Sequence, residues 1–256
     1  MIHPTAIIDP RAQIASDVEI GPYCVVGPYV SIGAGCKLLS HVVVEGRTTI
    51  GARNTFAPFA SVGGAPQDKK YAGEPTRLEI GDDNTIREYC TINTGTTQDG
   101  SLTKVGSNNW IMAYVHIAHD CVLGNNTIMA NNAQLAGHVH VGDWAILGGM
   151  SGVHQFCRVG AHAMVGAGAI VTQDVIPYGM IGGTPLSTIG INSEGLRRRG
   201  FSPEAIAAVK ATYKTIFRDG LTLAEAIEKI TPQAALVGEV KLMLDFMTVK
   251  GRGLLR

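Results

Sequence analysis

Residues 122–171 read VLGNNTIMANNAQLAGHVHVGDWAILGGMSGVHQFCRVGAHAMVGAGAIV, and every sixth residue from Val105 to Val171 is a large apolar one. The same six-residue period runs from Ile2 to Val62 and from Ile80 to Ile92. Only 45% of the chain is hydrophobic, so a period this long does not arise by chance. A short fixed period predicts a solenoid, in which each repeat packs on its neighbours.

The period of six differs from the three-to-four spacing of a helix and from the alternation of a flat strand. It fits a short strand followed by a turn, where glycine often follows the large residue and a small residue lies four positions after it. We therefore predict a parallel β-helix with three hexads, or 18 residues, in each coil. Its coils stack about 4.8 Å apart, which is the spacing between strands.

The five cysteines test this prediction, because each lies four residues after a large apolar position. They are Cys24, Cys36, Cys90, Cys121 and Cys157. This spacing assigns them to the small interior slot of the coil, as buried free thiols in a reducing compartment. No C-x-x-C pair is present, so neither a disulfide framework nor a cysteine metal cluster is expected.

The chain divides into a β-helix over residues 1–190 and a helical domain over 191–256. The period ends after Val171, and a helical pattern begins at about Asn192. Ser202 with Pro203 predicts the start of one helix that ends near Phe217, and Thr222 predicts the cap of a second. Pro232 is expected to open a third helix.

Two polar, glycine-rich segments interrupt the period at about 64–77 and 93–104. Both fall at the same point of the coil, and insertions in a solenoid form loops on its surface. We expect these loops to contribute to a site, since the first contains Asp68, Lys69 and Lys70 beside Tyr71.

Charged and polar residues gather on three adjacent coils, because residues 18 apart lie one above the other. Asp120 lies below His138, and His119 lies below Gly137 and Gln155. His116 and His154 belong to the same group. None of these positions is a large interior slot, so the side chains are expected to face outward.

Three interpretations of this histidine group remain open on spacing alone. The histidines could be structural residues at a subunit interface, or they could bind zinc, which needs three or four convergent ligands. The third interpretation is general-base catalysis by His119. Asp120 would orient its imidazole, and the Gly137 N–H would stabilise an oxyanion.

Composition excludes some functions. Lys and Arg together number 21, as do Asp and Glu, so the formal net charge is zero and no basic field attracts nucleic acid. There is no apolar run of membrane-spanning length and no signal peptide at the start. We therefore expect a cytoplasmic protein with no stable membrane insertion.

Several long strings resemble the UDP-N-acetylglucosamine O-acyltransferases, a family of hexapeptide-repeat acyltransferases. They are HIAHDC (116–121), LAGHVHVGDWAILGGM (135–150), VHQFC (153–157), QDKKYAGEPTR (67–77) and INSEGLRRRGFS (191–202). The resemblance covers nearly the whole chain and implies a left-handed β-helix. Among enzymes, the main alternative interpretation is the related N-acyltransferase that acts later in lipid A biosynthesis. That enzyme carries a uridine-binding domain before its β-helix, whereas here the hexads start at Ile2.

The resemblance implies transfer of an (R)-3-hydroxyacyl group from acyl carrier protein to the 3-hydroxyl of UDP-N-acetylglucosamine, the first step of lipid A biosynthesis. His119 would be the general base, Asp120 its orienting partner and Gly137 the oxyanion donor. No covalent enzyme intermediate, no metal and no cofactor are implied, apart from the 4′-phosphopantetheine of the carrier protein. A non-enzymatic scaffold is the alternative from another class.

The resemblance also implies binding residues and a homotrimer with active sites between subunits. Substrate would contact Asp68, Lys70, His116, His138, His154, Gln155, Asn192, Glu194, Arg198 and Arg199, the last four from a neighbouring subunit. Ala167 lies in the stretch that resembles the family's acyl-length ruler, and a small residue there would leave room for a longer chain than a bulky one. The basic tail, with Lys210, Lys214 and Arg218, would dock the acidic carrier protein. Residues 91–96 read TINTGT where the family often reads TIHRGT, which affects loop conformation or donor preference.

Overall fold

The computed structural model describes residues 1–256, which form a parallel β-helix followed by four α-helices. Each coil contributes one short strand to each of three parallel sheets, so the coils build a triangular prism. The coil is left-handed. The predicted fold class is therefore confirmed.

The three sheets follow one another around each coil, with most strands only two residues long. Sheet 1 contains β1 (Ile7–Ile8), β4 (Val25–Val26), β7 (Val43–Val44), β10 (Ser61–Gly64), β13 (Thr91–Asn93), β16 (His116–Ile117), β19 (Gln134–Leu135), β22 (Gly152–Val153) and β25 (Ile170–Val171). Sheet 2 contains β2 (Gln13–Ile14), β5 (Ser31–Ile32), β8 (Arg47–Ile50), β11 (Arg77–Ile80), β14 (Leu102–Val105), β17 (Val122–Leu123), β20 (His140–Val141) and β23 (Arg158–Val159). Sheet 3 contains β3 (Glu19–Ile20), β6 (Lys37–Leu38), β9 (Thr55–Phe56), β12 (Thr85–Ile86), β15 (Trp110–Ile111), β18 (Ile128–Met129), β21 (Ile146–Leu147), β24 (Met164–Val165), β26 (Gly179–Gly182) and β27 (Ser187–Ile191), the last pairing antiparallel to β26.

The register agrees with the 18-residue coil. Ile117 pairs with Leu135, and Leu135 pairs with Val153. These three side chains are 0–2% exposed. Burying a side chain of this size contributes about 1.5–3 kcal/mol, so the period that predicts the fold also supplies its core.

The turns between sheets stack in columns as well. Their second residue adopts a left-handed backbone conformation, with φ of 59° at Asp120, 62° at His138 and 65° at Phe156. Asn, Asp and His tolerate this conformation better than most residues. Each column therefore projects one side chain per coil from a corner of the prism.

All five cysteines are free and 0% exposed, as the spacing predicts. The Cys121 Sγ donates to the Ala136 carbonyl oxygen at 3.1 Å. Burial raises the pKa of the Cys121 thiol to about 12 and that of Cys90 to about 11. These thiols fill the interior and are poor nucleophiles.

Ser151 shares this interior column with Ala133 and Ala169, and its buried hydroxyl has no hydrogen-bond partner. We expect Ser151→Ala to stabilise the protein by about 1 kcal/mol, because it removes a desolvated polar group. Urea unfolding measures this change. Ser107→Ala is the control, and we expect it to destabilise the protein, because the Ser107 Oγ accepts a hydrogen bond from the Asp82 N–H at 2.9 Å. A lower midpoint for Ser151→Ala would contradict the prediction.

The two insertions both leave sheet 1 and enter sheet 2. The first lies between β10 and β11, and the second lies between β13 and β14. They are joined to each other, since Thr94 N donates to the Gly64 carbonyl oxygen at 3.0 Å and Gly95 N donates to the Arg77 carbonyl oxygen at 3.1 Å. Both loops therefore cover the corner between sheets 1 and 2.

The tail contains α1 (Ser193–Arg198), α2 (Pro203–Phe217), α3 (Leu223–Ala234) and α4 (Gly238–Thr248). Ser202 and Thr222 cap α2 and α3 as predicted. The prediction for Pro232 is wrong, because this residue lies inside α3 and the next helix begins at Gly238. Ile230 and Ala234, on either side of the proline, are both buried in the core of the helical domain, and this packing extends α3 past Pro232.

The tail packs against the last coils of the prism. Leu255 joins the core of the β-helix, and its N–H donates to the Asp174 carbonyl oxygen at 2.9 Å. The Asp174 carboxylate, 1% exposed, binds the Arg158 guanidinium, with Oδ2 and Nη2 2.7 Å apart. Arg158 also covers the Phe246 ring at 4.3 Å. None of the tail helices has the length and apolar character that a membrane span requires.

Candidate active site

His119 and Asp120 form the turn between β16 and β17, at the corner that the insertions cover. The His119 Nδ1 and the Asp120 Oδ2 are 2.8 Å apart. Because a carboxylate accepts this hydrogen bond, the proton lies on Nδ1 and the Nε2 lone pair is free. The His119 side chain is 16% exposed, whereas the Asp120 side chain is 1% exposed.

The second insertion surrounds the Asp120 carboxylate. The Thr96 N–H donates to Oδ1 at 2.8 Å, and the Thr96 hydroxyl donates to Oδ2 at 2.6 Å. The Thr103 Oγ1 accepts from the Asp120 N–H at 2.8 Å. The expectation that Asp120 faces outward is therefore wrong in one respect: the side chain leaves the prism interior, but the loop buries it. The repeat spacing gave no signal for Thr96 or Thr103.

Gly137 lies directly above His119, as the 18-residue spacing predicts. A Cβ placed on Gly137 would be 2.6 Å from the His119 Nε2 and closer still to Cε1. Only glycine leaves room for the imidazole here. The Gly137 N–H donates to no other group of the chain, so it remains available beside the free nitrogen of His119.

His138 lies above Asp120 and is also buried, with 8% of its side chain exposed. Its ring stacks on Phe156 with centroids 4.4 Å apart. The His138 Nδ1 is 3.1 Å from the Asp99 Oδ2, and its Nε2 is 3.8 Å from the Asp120 Oδ2. The second insertion thus holds His138 as well as Asp120.

His116 lines a groove of about 390 Å³ on the outer face of sheet 1, together with Gln134, Gly152, His154 and Ile170. The His116 Nδ1 is 2.8 Å from the Thr91 Oγ1. Burial lowers the pKa of His116, and the neighbouring His119 lowers it further. Gln155, which follows His154, occupies the turn above Gly137.

Ala167 lines a second groove, of about 290 Å³, beside Gly168 and Gly182. The two grooves share Ile170. The two grooves therefore adjoin each other at Ile170, near the end of the β-helix where Ala167 lies.

Asp68 and Lys70 lie on the first insertion, where the Asp68 Oδ1 accepts from the Lys70 N–H at 2.9 Å. Asn93 of the TINTGT string connects this insertion to the second. Its Nδ2 donates to the Gly64 and Ala65 carbonyl oxygens at 3.3 and 2.9 Å, and its Oδ1 is buried without a partner.

The residues of the INSEGLRRRGFS string lie at a different corner, between sheets 2 and 3. Asn192 caps α1 and its Nδ2 donates to the His162 carbonyl oxygen at 3.1 Å. The Arg199 guanidinium covers the Trp144 ring at 5.3 Å and donates to the His162 Nδ1 at 3.2 Å. Burial, with a smaller contribution from Arg199, lowers the pKa of His162 to about 4.

Glu194 pairs with both Arg197 and Arg198 on the surface of α1. One chain alone therefore does not bring Asn192, Glu194, Arg198 and Arg199 to His119, since the two sets lie at different corners of the prism.

Three side chains could converge on a metal ion. One ligand atom from each of His119, Asp120 and His138 lies within 4.8 Å of the others. The Asp120 carboxylate already accepts hydrogen bonds from His119 and Thr96, so metal binding would replace them. The geometry favours a hydrogen-bonded pair over a zinc site, which needs ligands at about 2.0–2.2 Å from one point.

Comparison with known families identifies two regions. Residues 174–255 match the second domain of UDP-N-acetylglucosamine O-acyltransferase, and residues 1–34 and 102–137 match the bacterial transferase hexapeptide repeat. The acyl-[acyl-carrier-protein]–UDP-N-acetylglucosamine O-acyltransferase of Thiobacillus denitrificans is 60% identical over 255 residues, which cover 100% of this chain and 99% of that protein. The chain belongs to the UDP-N-acetylglucosamine O-acyltransferase family. As a member of this family it is an acyltransferase, so the scaffold alternative is wrong.

Solved structures of other members agree with the membership. LpxA from Acinetobacter baumannii matches with a TM-score of 0.97 and 52% identity, over 100% of this chain and 99% of that chain. UDP-N-acetylglucosamine O-acyltransferase from Moraxella catarrhalis matches with a TM-score of 0.97 and 48% identity, over 100% and 99%. The β-helix and the helical tail thus have the arrangement of the O-acyltransferase family.

Proposed function

We propose that this enzyme transfers an (R)-3-hydroxyacyl chain from acyl carrier protein to the 3-hydroxyl of UDP-N-acetylglucosamine, the first step of lipid A biosynthesis. One observation carries the proposal. His119 presents a free Nε2 next to the unpaired N–H of Gly137, while Asp120 fixes its other nitrogen. A base and an oxyanion donor side by side are what acyl transfer to a hydroxyl requires.

In this mechanism the His119 Nε2 removes the proton of the sugar 3-hydroxyl as its oxygen attacks the thioester carbon. The carbonyl oxygen becomes an oxyanion and accepts a hydrogen bond from the Gly137 N–H. The intermediate then collapses, the C–S bond breaks, and the leaving thiolate takes the proton from the His119 imidazolium. Asp120 stabilises that imidazolium and keeps its tautomer.

No covalent enzyme intermediate is needed. Cys121 adjoins the pair in sequence, but its thiol faces the prism interior and its pKa is raised to about 12. The 4′-phosphopantetheine arrives on the carrier protein, so the enzyme needs no separate cofactor. Asp68, Lys70, His116 and His138 would hold the sugar and the polar end of the acyl chain. His154 and Gln155 would line the same cleft, and Ala167 would set the room for the acyl chain.

A homotrimer would complete the site. Exposed aromatic rings stack along the third corner, between sheets 3 and 1, with Phe59 to Tyr89 and Tyr89 to Tyr114 centroids each 5.0 Å apart. If three prisms meet at this corner, sheet 1 of one subunit faces sheet 3 of the next. The corner that carries His119 then meets the neighbour's corner that carries Arg199, which supports a shared site.

In the trimer Asn192, Glu194, Arg198 and Arg199 of a neighbour would recognise the nucleotide, because an arginine fork matches diphosphate. Acyl carrier protein would dock on the basic tail surface with Lys210, Lys214 and Arg218. Glu194 pairs with Arg197 and Arg198 and so neutralises part of the charge of the arginine run. Lys210, Lys214 and Arg218 then supply the larger share of the positive charge on that surface.

Subunit mixing tests reaction and assembly together. Purified protein is incubated with (R)-3-hydroxyacyl carrier proteins of several chain lengths and UDP-N-acetylglucosamine, and its mass is measured by light scattering. We expect transfer by a trimer. Trimers of His119→Ala alone or Arg199→Ala alone should be nearly inactive, whereas co-expressed mixtures should regain activity, because one intact site forms between two differently mutated subunits. A folded protein without transfer from any donor would refute the reaction, and inactive mixed trimers would refute the shared site.

A further inference from the structure

We propose that Thr96 is a positioning residue that holds Asp120 in the orientation that His119 requires. The inference deepens the proposed function and rests on it. The second insertion, which looks like a surface loop in the sequence, would then be part of the catalytic machinery through one side chain.

The contacts single out Thr96. It is 3% exposed, and it supplies both the N–H that binds the Asp120 Oδ1 and the hydroxyl that binds Oδ2. The Oδ2 atom also accepts from the His119 Nδ1. Thr96 therefore binds both oxygens of the Asp120 carboxylate, and the proposed base, His119, binds Oδ2 as well.

The loop is built to place Thr96 there. A Cβ on Gly95 would lie 2.7 Å from the Asp120 Oδ1 and 2.6 Å from the Ser101 carbonyl carbon. The Gly95 residue thus allows the loop backbone to approach the carboxylate. The Thr96 carbonyl oxygen accepts from the Ser101 N–H at 3.1 Å, which closes the loop behind it.

Charge explains what the hydroxyl does. A buried carboxylate needs donors, and hydrogen bonds to charged groups are stronger than those between neutral groups. The ionisable groups around Asp120 are His119, His138 with its Nε2 at 3.8 Å, Asp99 behind His138, and the interior thiol of Cys121. Without the Thr96 hydroxyl, Oδ2 has His119 as its remaining close donor, so the pair takes up a proton more readily and the carboxylate turns more freely.

Thr96→Val tests the inference, with Thr94→Val as the matched control. Thr94 is 3% exposed in the same loop, and its hydroxyl accepts from the Thr76 hydroxyl at 3.1 Å rather than from Asp120. We expect Thr96→Val to lower kcat about tenfold, to leave KM for the sugar nucleotide within about twofold, and to move the acid limb of the kcat profile up by about one pH unit. Thr96→Ser should restore both, and Thr94→Val should keep the wild-type profile.

Nitrogen NMR of histidine-labelled protein measures the protonation of the His119 ring directly, without relying on catalytic activity. The titration midpoint of the His119 ring, assigned with His119→Gln, should rise in Thr96→Val and not in Thr94→Val. Equal profiles and midpoints for the two valine variants would overturn the positioning role. A wild-type protein with no transfer activity, but with the midpoint shift present, would refute the proposed reaction and leave the Thr96–Asp120–His119 coupling established.

Discussion

Replacing His119 with alanine lowers kcat for acyl transfer by about 10²–10⁴-fold, the range that a positioned general base contributes. The effect is large because the free Nε2 lies next to the Gly137 N–H, and Asp120 is too deeply buried to replace it. The fold should persist, since His119 lies on a corner turn outside the apolar core. The dissociation constant of UDP-N-acetylglucosamine should change far less than kcat.

Single-turnover transfer and calorimetric binding measure these two quantities. His3→Ala is the control, because His3 is an exposed histidine on the first coil and its side chain hydrogen-bonds only to Thr5. Activity of folded His119→Ala within tenfold of wild type would contradict the base assignment. His138 would then be the next residue to test, since its Nε2 is 3.8 Å from the same carboxylate.

Repetition made the prism predictable. A residue such as Leu135 repeats the environment of Ile117 and Val153, so one rule assigns the whole core. The same rule placed Gly137 above His119 and Cys121 in the interior. It needed no knowledge of tertiary contacts, because strand pairing in a β-helix is fixed by sequence distance.

The insertions and the C-terminal helices do not follow the six-residue period, so it cannot predict their contacts. Thr96 and Asp120 are 24 residues apart, which is not a multiple of the coil, and their contact depends on how the loop folds back. Pro232 was predicted to open a helix from local preference alone, but the packing of Ile230 and Ala234 on either side of it carries α3 past it. Local signals predict a helix start better than they predict how far packing extends it.

The nucleotide-binding set shows a third limit. Resemblance alone assigned Asn192 and Arg199 to the site, whereas the structure of one chain places them at another corner. A sequence carries no direct record of which surfaces meet in an assembly. The contact between the two corners depends on the proposed trimer, which the subunit-mixing experiment tests.

Gly137→Ala should lower kcat by at least about 10²-fold, although it adds only one methyl group. The new Cβ would lie 2.6 Å from the His119 Nε2, so the imidazole must move away from the position that Asp120 gives it. The backbone tolerates alanine, because Gly137 does not have a positive φ. The N–H also remains, so the expected loss comes from the displaced base and its distance from the oxyanion donor.

Gly149→Ala is the matched control. Gly149 occupies the same turn position at the corner between sheets 3 and 1, and a Cβ there would meet only the Asn131 carbonyl oxygen, at 3.3 Å. Because the proposed trimer forms at this corner, light scattering must show that the variant is still a trimer. Kinetics of both variants, with circular dichroism to check the fold, separate a local effect on His119 from a general effect of alanine in the turn. Near wild-type activity for Gly137→Ala would contradict the stacking of His119 under Gly137 as the reactive arrangement. Equal losses in both variants would trace the effect to the turn instead, because Gly149 has no contact with the base.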